Sequence, residues 1–275
     1  MSDMGRADHR LNPRLNAVSM EMSGRTNVGR NVEVREVRPR RTVIVLTEFF
    51  HPGFKGGGTP RALLNMVTSL GERFFFRVVT RDRDLGETEP YRNVATGRWQ
   101  PFGPAEILYL TPDQLGPRIL ADILRSVPYD LLYLNSFMSP LFGLTPVLLR
   151  RARLIPKSPV VLAPRGELAP GALAVKPARK RLAVTAARLL RSHGDVLFHT
   201  TTRHEAHDVA KQLGSGVALR VVGDFPSVPA VPPATRHLKT AGSLRAVFVG
   251  RIARNKNLSS AIAALGGVGP ARVSL

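Results

Sequence analysis

The chain has 275 residues, 43% hydrophobic and 22% charged, enough for a large buried core and for one or two domains. The absence of cysteine excludes disulfides, thiolate metal sites and a cysteine nucleophile. The 40 Lys and Arg against 20 Asp and Glu give a formal charge of +20. No apolar run reaches the roughly 18 residues of a membrane span, and the N-terminus lacks the apolar stretch of a signal peptide. The sequence therefore reads as soluble and cytoplasmic.

The charge is uneven. Residues 1–40 hold eight basic and five acidic residues with almost no periodic apolar pattern, which predicts a mostly disordered basic leader. Residues 150–191 hold eleven basic residues and one acid, Glu167, and so carry +10 of the net charge.

From residue 41 the pattern becomes regular. Strand-length apolar runs fall at 42–47 (TVIVLT), 74–80, 106–110, 130–134 (DLLYL), 159–163 (PVVLA), 196–199 and 218–222. Several are continuous Val/Ile/Leu runs, as expected for strands buried on both faces of a parallel sheet. Helical periodicity fills the intervals. Thr59 is the expected cap of a helix running from Pro60 to Gly71. Further helices are predicted over 115–127, 141–153, 172–191 and 203–213, with Pro146 and Pro177 kinking or interrupting two of them. Alternating strands and helices predict an open α/β sheet over residues 41–223.

Residues 224–243 form a predicted interdomain linker, with Pro226, Pro229, Pro232 and Pro233 close together. The pattern then restarts with a strand at 244–249, a helix at 257–265 and a strand beginning at 272. A single strand and helix cannot bury a core of their own, so residues 244–275 read as the start of a second, truncated domain.

Three segments could carry chemistry. After the first strand, EFFHPGFKGGGT (48–59) leads into a capped helix, an arrangement whose backbone N–H groups can receive a phosphate. Its spacing matches neither the dinucleotide fingerprint nor the P-loop, and a flexible surface loop is the alternative. In VFVGRIARNKNL (247–258), Arg251 and Lys256 flank a turn beyond a strand's carboxyl end, where they could grip a phosphate or simply be solvated. In PVVLAPRGELAPGALAVK (159–176), Arg165 and Glu167 follow another strand end, and Asn135 and Ser136 follow the 130–134 strand on the same edge. Arg165 and Glu167 place a cation and a carboxylate at that edge, or form a surface ion pair; Asn135 and Ser136 could bind a sugar hydroxyl, or cap the next helix. His199, His204 and His207 complete no recognisable ligand set, and no nucleophile elbow occurs, so neither a metal nor a serine hydrolase is expected.

The order of GGGTPRALLNMVTSL (56–70), DLLYLNSFMSPLFG (130–143), APRGELAPGAL (163–173) and FHTTTRHEAHDV (198–209), followed by a linker and FVGRIARNKNLSSAIAAL (248–265), resembles a known family. It is similar to retaining glycosyltransferases with two Rossmann-like domains, the GT-B type, in the large group called family four or group 1. The resemblance implies transfer of a hexosyl or pentosyl unit from a nucleotide-sugar donor to a glycan or lipid-linked acceptor, with no metal cofactor. It implies that Gly57 and Gly58 face the donor diphosphate and that Arg251 and Lys256 neutralise it as it departs. Asn135, Ser136, Arg165 and Glu167 would line the acceptor or sugar pocket. Two departures stand out. Many relatives carry a histidine where this chain has Leu134-Asn135-Ser136, and their late pair of glutamates lies beyond residue 275. The catalytic residues are therefore unassigned, and the 275-residue chain itself is expected to be inactive.

Two other readings are open. A sugar-nucleotide epimerase of the same two-domain fold would need acid and base residues that cannot be placed. A non-catalytic basic protein would bind an anionic membrane or nucleic acid. A helical projection of residues 173–191 puts Lys176, Lys180, Arg181, Arg188 and Arg191 on one side and Val175, Leu182, Ala186, Leu189 and Leu190 on the other, with Arg179 out of place among the latter. Packing of that apolar side in the core is the favoured expectation. Few aromatics and the lack of a binding motif argue against nucleic acid.

Overall fold

The computed structural model describes residues 40–175, 177–189, 193–226, 243–250, 252, 256–266 and 272–274. The predicted leader, apart from Arg40, and linker residues 227–242 lie outside these.

The first strand, β1 (Arg41–Leu46), shows why the sheet is central. Ile44 and Leu46 enter the core on one face, and Val43 and Val45 on the other. It is followed by α1 (Gly58–Leu70), β2 (Phe74–Arg81), β3 (Trp99–Phe102), β4 (Ala105–Leu110), a 3₁₀ turn at Pro112–Gln114 and α2 (Pro117–Ser126). Then come β5 (Leu131–Leu134), a π-helical turn at Pro140–Leu144, α3 (Thr145–Arg151), β6 (Val160–Leu162), α4 (Pro170–Leu173) and α5 (Pro177–Leu189). The sheet closes with β7 (Val196–Thr200), α6 (Arg203–Leu213) and β8 (Ala218–Val221).

Eight strands form one sheet in the order β3-β4-β2-β1-β5-β6-β7-β8, all parallel except the β3 edge. Without that edge strand this is the doubly wound order of a Rossmann-like fold. Helices α2, α3, α5 and α6 cover one face through Leu120, Leu124, Val147, Val184, Ala187 and Val209. Helix α1 covers the other through Leu63, Met66 and Val67 against Val43, Val45 and Val78. Each of the Leu, Val and Met side chains among these, fully buried, contributes roughly 1.5–3 kcal/mol of transfer free energy.

Several boundaries differ from the sequence expectation, for local reasons. Thr59 does not cap α1. Gly57 holds that position with φ at 80°, a left-handed value open to glycine, so the helix begins at Gly58 without a side-chain cap. Pro177 interrupts the 172–191 helix, one of the two outcomes expected of it. It opens α5 as a first-turn residue, and α4 ends four residues earlier at Leu173. The 141–153 helix becomes the π-helical turn and then α3, with Pro146 in the first turn of the latter. Strand β3 was not foreseen. Its WQPF sequence is short and contains Pro101, which an edge strand tolerates, and Gly103 at φ 51° turns it back onto β4.

A second sheet pairs β9 (Ser243–Arg245) with β10 (Arg272–Ser274) in parallel, linked through α7 (Leu258–Gly266). The predicted 244–249 strand stops at Arg245, and Val247 and Val249 are 83% and 90% exposed. Pairing with β10 covers three residues, and among the described residues the apolar run beyond it joins no ladder.

Candidate functional site

In a doubly wound sheet, ligands bind beyond the carboxyl ends of the strands where the connections diverge. Here that point lies between β1 and β5, whose neighbours β2 and β6 lie outward in opposite directions. A cleft of about 170 Å³ opens there. Its walls are Thr47, Glu48 and Phe49 after β1, Gly56, Thr59 and Pro60 at the start of α1, Asn135 and Ser136 after β5, and Arg165 and Glu167 after β6.

All four residues assigned from sequence to an acceptor or sugar pocket thus line one cleft. They are bonded to one another and to their surroundings, which fixes their orientation. Arg165 lies in the left-handed region at φ 55° and its side chain is 8% exposed. Its Nε donates to Asn135 Oδ1 at 2.8 Å, and its two terminal nitrogens donate to Asp224 Oδ1 at 2.6 Å and to the Tyr133 hydroxyl at 3.3 Å. Asn135 is buried, and its Nδ2 donates to Thr47 Oγ1 at 3.3 Å. Its amide is a strut between β1 and Arg165 more than a free sugar ligand.

Behind Arg165 the bonds continue in one direction. Nε2 of His199 lies 2.9 Å from the Val222 carbonyl, which can only accept, so that nitrogen carries a proton. In the neutral ring Nδ1 then accepts from the Tyr133 hydroxyl at 2.8 Å. Burial pushes the Tyr133 phenol up to about 12, which keeps it a neutral donor.

Glu167 is the centre of a second group. Its Oε2 accepts from the backbone N–H groups of Phe137 at 2.7 Å and Met138 at 2.8 Å, and its Oε1 accepts from Ser136 Oγ at 2.8 Å. Ser136 Oγ in turn accepts from Ser139 N at 3.0 Å, and Ser139 Oγ donates to Glu48 Oε1 at 2.7 Å. Burial raises the Glu167 carboxyl above its ordinary range and the nearby Glu48 charge adds to this, against the opposing pull of the three donors. Two carboxylates, a guanidinium and several hydroxyls therefore share a small cleft. This donor and acceptor set suits a polyhydroxylated ligand.

The loop leading to the glycine segment beside the cleft is held by side chains at Phe54 and Lys55. Asp84 accepts from the backbone of Phe54 at 2.7 Å and Lys55 at 2.9 Å, and Lys55 pairs with Glu87. Burial pushes the Asp84 carboxyl up, but the backbone donors outweigh it and leave its pKa below the usual value. A Cβ on Gly53 would strike the Tyr91 hydroxyl. Gly56 lines the cleft, Gly57 lines a neighbouring groove with His51 and Arg61, and Gly58 lines neither. Lys256 is exposed just ahead of α7, and Arg251 lies outside the described residues.

Sequence reasoning missed Glu48, Tyr133, His199 and Asp224. Glu48 lies two residues beyond the end of β1 at Leu46, and the positional rule would have reached it. The other three act through contacts that no spacing announces. Glu205, also missed, accepts from Gly166 N at 2.7 Å and Thr201 N at 2.7 Å, and so fixes the Arg165–Glu167 turn from behind.

Gly143, in the π-helical turn, is packed tightly against the backbone of the site. A Cβ there would collide with the Ser136 carbonyl oxygen, a backbone atom that cannot yield without moving the Ser136–Glu167 bonds. Gly143→Ala is expected to destabilise the chain by about 2 kcal/mol, measured by urea denaturation. A variant as stable as the parent would show that the turn is looser than its packing implies.

Among the described residues, no group of three or more His, Cys, Asp or Glu is placed to hold a metal ion, and no helix is long and apolar enough to cross a membrane. No family model matches the chain, and a search of the curated proteins gives no match.

Proposed function

We propose that the chain belongs to a retaining glycosyltransferase of the GT-B type, and that the cleft between β1 and β5 receives the sugar acceptor. The observation that carries this reading is the position of that cleft at the topological switch point, with Arg165, Glu48 and Glu167 converging on it. The uncapped start of α1 adds further support. It has no acidic residue in its first turn, and Gly56 and Thr59 reach the cleft wall, so backbone N–H groups can meet an anionic group there. In this reading Gly57, Gly58, Arg251 and Lys256 contact the donor diphosphate. Breaking a sugar–phosphate bond builds charge on the departing diphosphate, and fixed cations stabilise it. The nucleotide-sugar donor, a glycan or lipid-linked acceptor and a cytoplasmic setting belong to the same proposal.

Saturation-transfer NMR with a panel of mono- and disaccharides, with and without UDP- and GDP-sugars, tests it on the full chain. Saccharide signals that disappear on Arg165→Ala are expected. No response to any saccharide or nucleotide-sugar at millimolar concentration would overturn the proposal.

A further inference from the structure

Helix α5 (PARKRLAVTAARL) holds Arg179, Lys180, Arg181 and Arg188 and no acidic residue. The apolar half of a helix so placed is expected to face the core, and part of α5 does. Val184 and Ala187 are buried against the sheet, and Lys180 leans the same way to donate to the Ala172 carbonyl at 2.7 Å.

Leu182 and Leu189 do not join them. At about 3.6 residues per turn these two leucines share one line on the side opposite Val184 and Ala187. They are 72% and 78% exposed. The expectation that the apolar side packs in the core fails for Leu182, Leu189 and Val175, because the inward face of α5 is formed by Val184, Ala187 and Lys180; Leu190 and Arg191 lie outside the described residues. The outward face is an apolar ridge with Arg179 on one flank and Arg181 and Arg188 on the other, all three exposed.

We propose that this face of α5 docks on an anionic lipid surface. Charge complementarity decides the occupant: three exposed cations with no acid on the helix match a layer of anionic headgroups. The two leucines between them reach the depth of the acyl boundary when the arginines meet the headgroups. Nucleic acid fits less well. A leucine ridge gains nothing against phosphates, and the helix has no aromatic side chain on which a base could stack. The proposal is independent of the glycosyltransferase reading.

Co-sedimentation of the full chain tests it, with vesicles of phosphatidylcholine alone against an equimolar phosphatidylcholine–phosphatidylglycerol mixture, at low salt. Binding to the anionic vesicles only, weakening as salt rises, is expected. Leu182→Ser with Leu189→Ser, at exposed positions that leave the fold intact, should weaken partitioning about tenfold or more. Reversal of Arg179, Arg181 and Arg188 to Glu should weaken it at least about fivefold per cation. Three outcomes would overturn the proposal: no binding to anionic vesicles, binding that survives the serine pair, or binding unchanged by the reversals. Retention of random duplex DNA without vesicle binding would likewise overturn it and assign the charge to nucleic acid. Circular dichroism and urea midpoints matching the parent establish that both variants are folded.

Discussion

Replacing Arg165 with alanine is expected to lower stability by about 3 kcal/mol and, under the proposed function, to abolish saccharide binding. The guanidinium is buried and makes three hydrogen bonds, to Asn135, Asp224 and Tyr133. Hydrogen bonds to a charged group contribute about 1.5–3 kcal/mol each, but those to exposed partners count for less. Asp224 is about two-fifths exposed and regains water, whereas the Asn135 oxygen is left buried without its donor. That orphaned oxygen dominates the cost. Arg165→Lys keeps the charge yet cannot reach Asn135 and Tyr133 together, so it should recover less than half of the loss. Arg165→Gly adds a distinctive ordering. It loses the same bonds, but at φ 55° glycine avoids a strain of about 1 kcal/mol, so it should be more stable than Arg165→Ala. Urea denaturation of the three variants measures this order. A glycine variant no more stable than the alanine one would refute the backbone account.

Glu167 should behave in two distinguishable ways. Glu167→Ala removes the acceptor of Phe137 N, Met138 N and Ser136 Oγ, and leaves two backbone donors buried at a cost of about 3 kcal/mol. Glu167→Gln keeps one oxygen for the two N–H groups and can donate to Ser136 Oγ, so its cost should stay within about 1 kcal/mol. The pH dependence has a definite sign. The folded-state pKa of Glu167 lies above its ordinary value of 4.5, chiefly through burial. Between those two values the folded chain retains a proton that the unfolded chain has released. The stability this carboxyl contributes is therefore full below the unfolded value and is lost as pH rises through the folded one. Glutamine has no such titration. The stability of Glu167→Gln relative to the parent should thus improve as pH rises from about 4 to about 8. Denaturation midpoints across that range give the answer, and parallel profiles for the two proteins would refute the raised pKa.

Much of the scaffold was legible because it rests on local patterns. The runs VIVL within TVIVLT and LLYL within DLLYL are continuously apolar, as strands covered on both faces are, and they lie in β1 and β5. Pro177 breaks a helix interior through its missing N–H and suits a first turn through its fixed φ, so it separates two helices. The edge strand β3 was invisible for the opposite reason: WQPF has no alternation, and only its pairing with β4 makes it a strand.

The site divides in the same way. Asn135, Ser136, Arg165 and Glu167 could be named from their places just after strands, because polar residues at strand ends face outward from any parallel sheet. Their partners could not be named. Glu48 meets Ser139 across 91 residues, and Arg165 meets Asp224 across 59, contacts set by the order of strands in the sheet. Helix α5 shows the same limit at the surface. Its wheel gave an apolar side, but which way that side faces depends on how far the neighbouring elements fill the space beneath it.

The sequence by itself determined the α/β class, the strands of the core and the unequal charge, including the eleven basic residues of 150–191, since each follows from composition or from a period of a few residues. Tertiary structure alone decided that four polar residues share a cleft with Glu48, that Asn135 and Ser136 are held in fixed orientations, and that Leu182 and Leu189 face outward. Periodicity encodes the local path of the backbone. Which distant side chains meet, and which are left in water, is fixed only when strand order and packing bring the elements together.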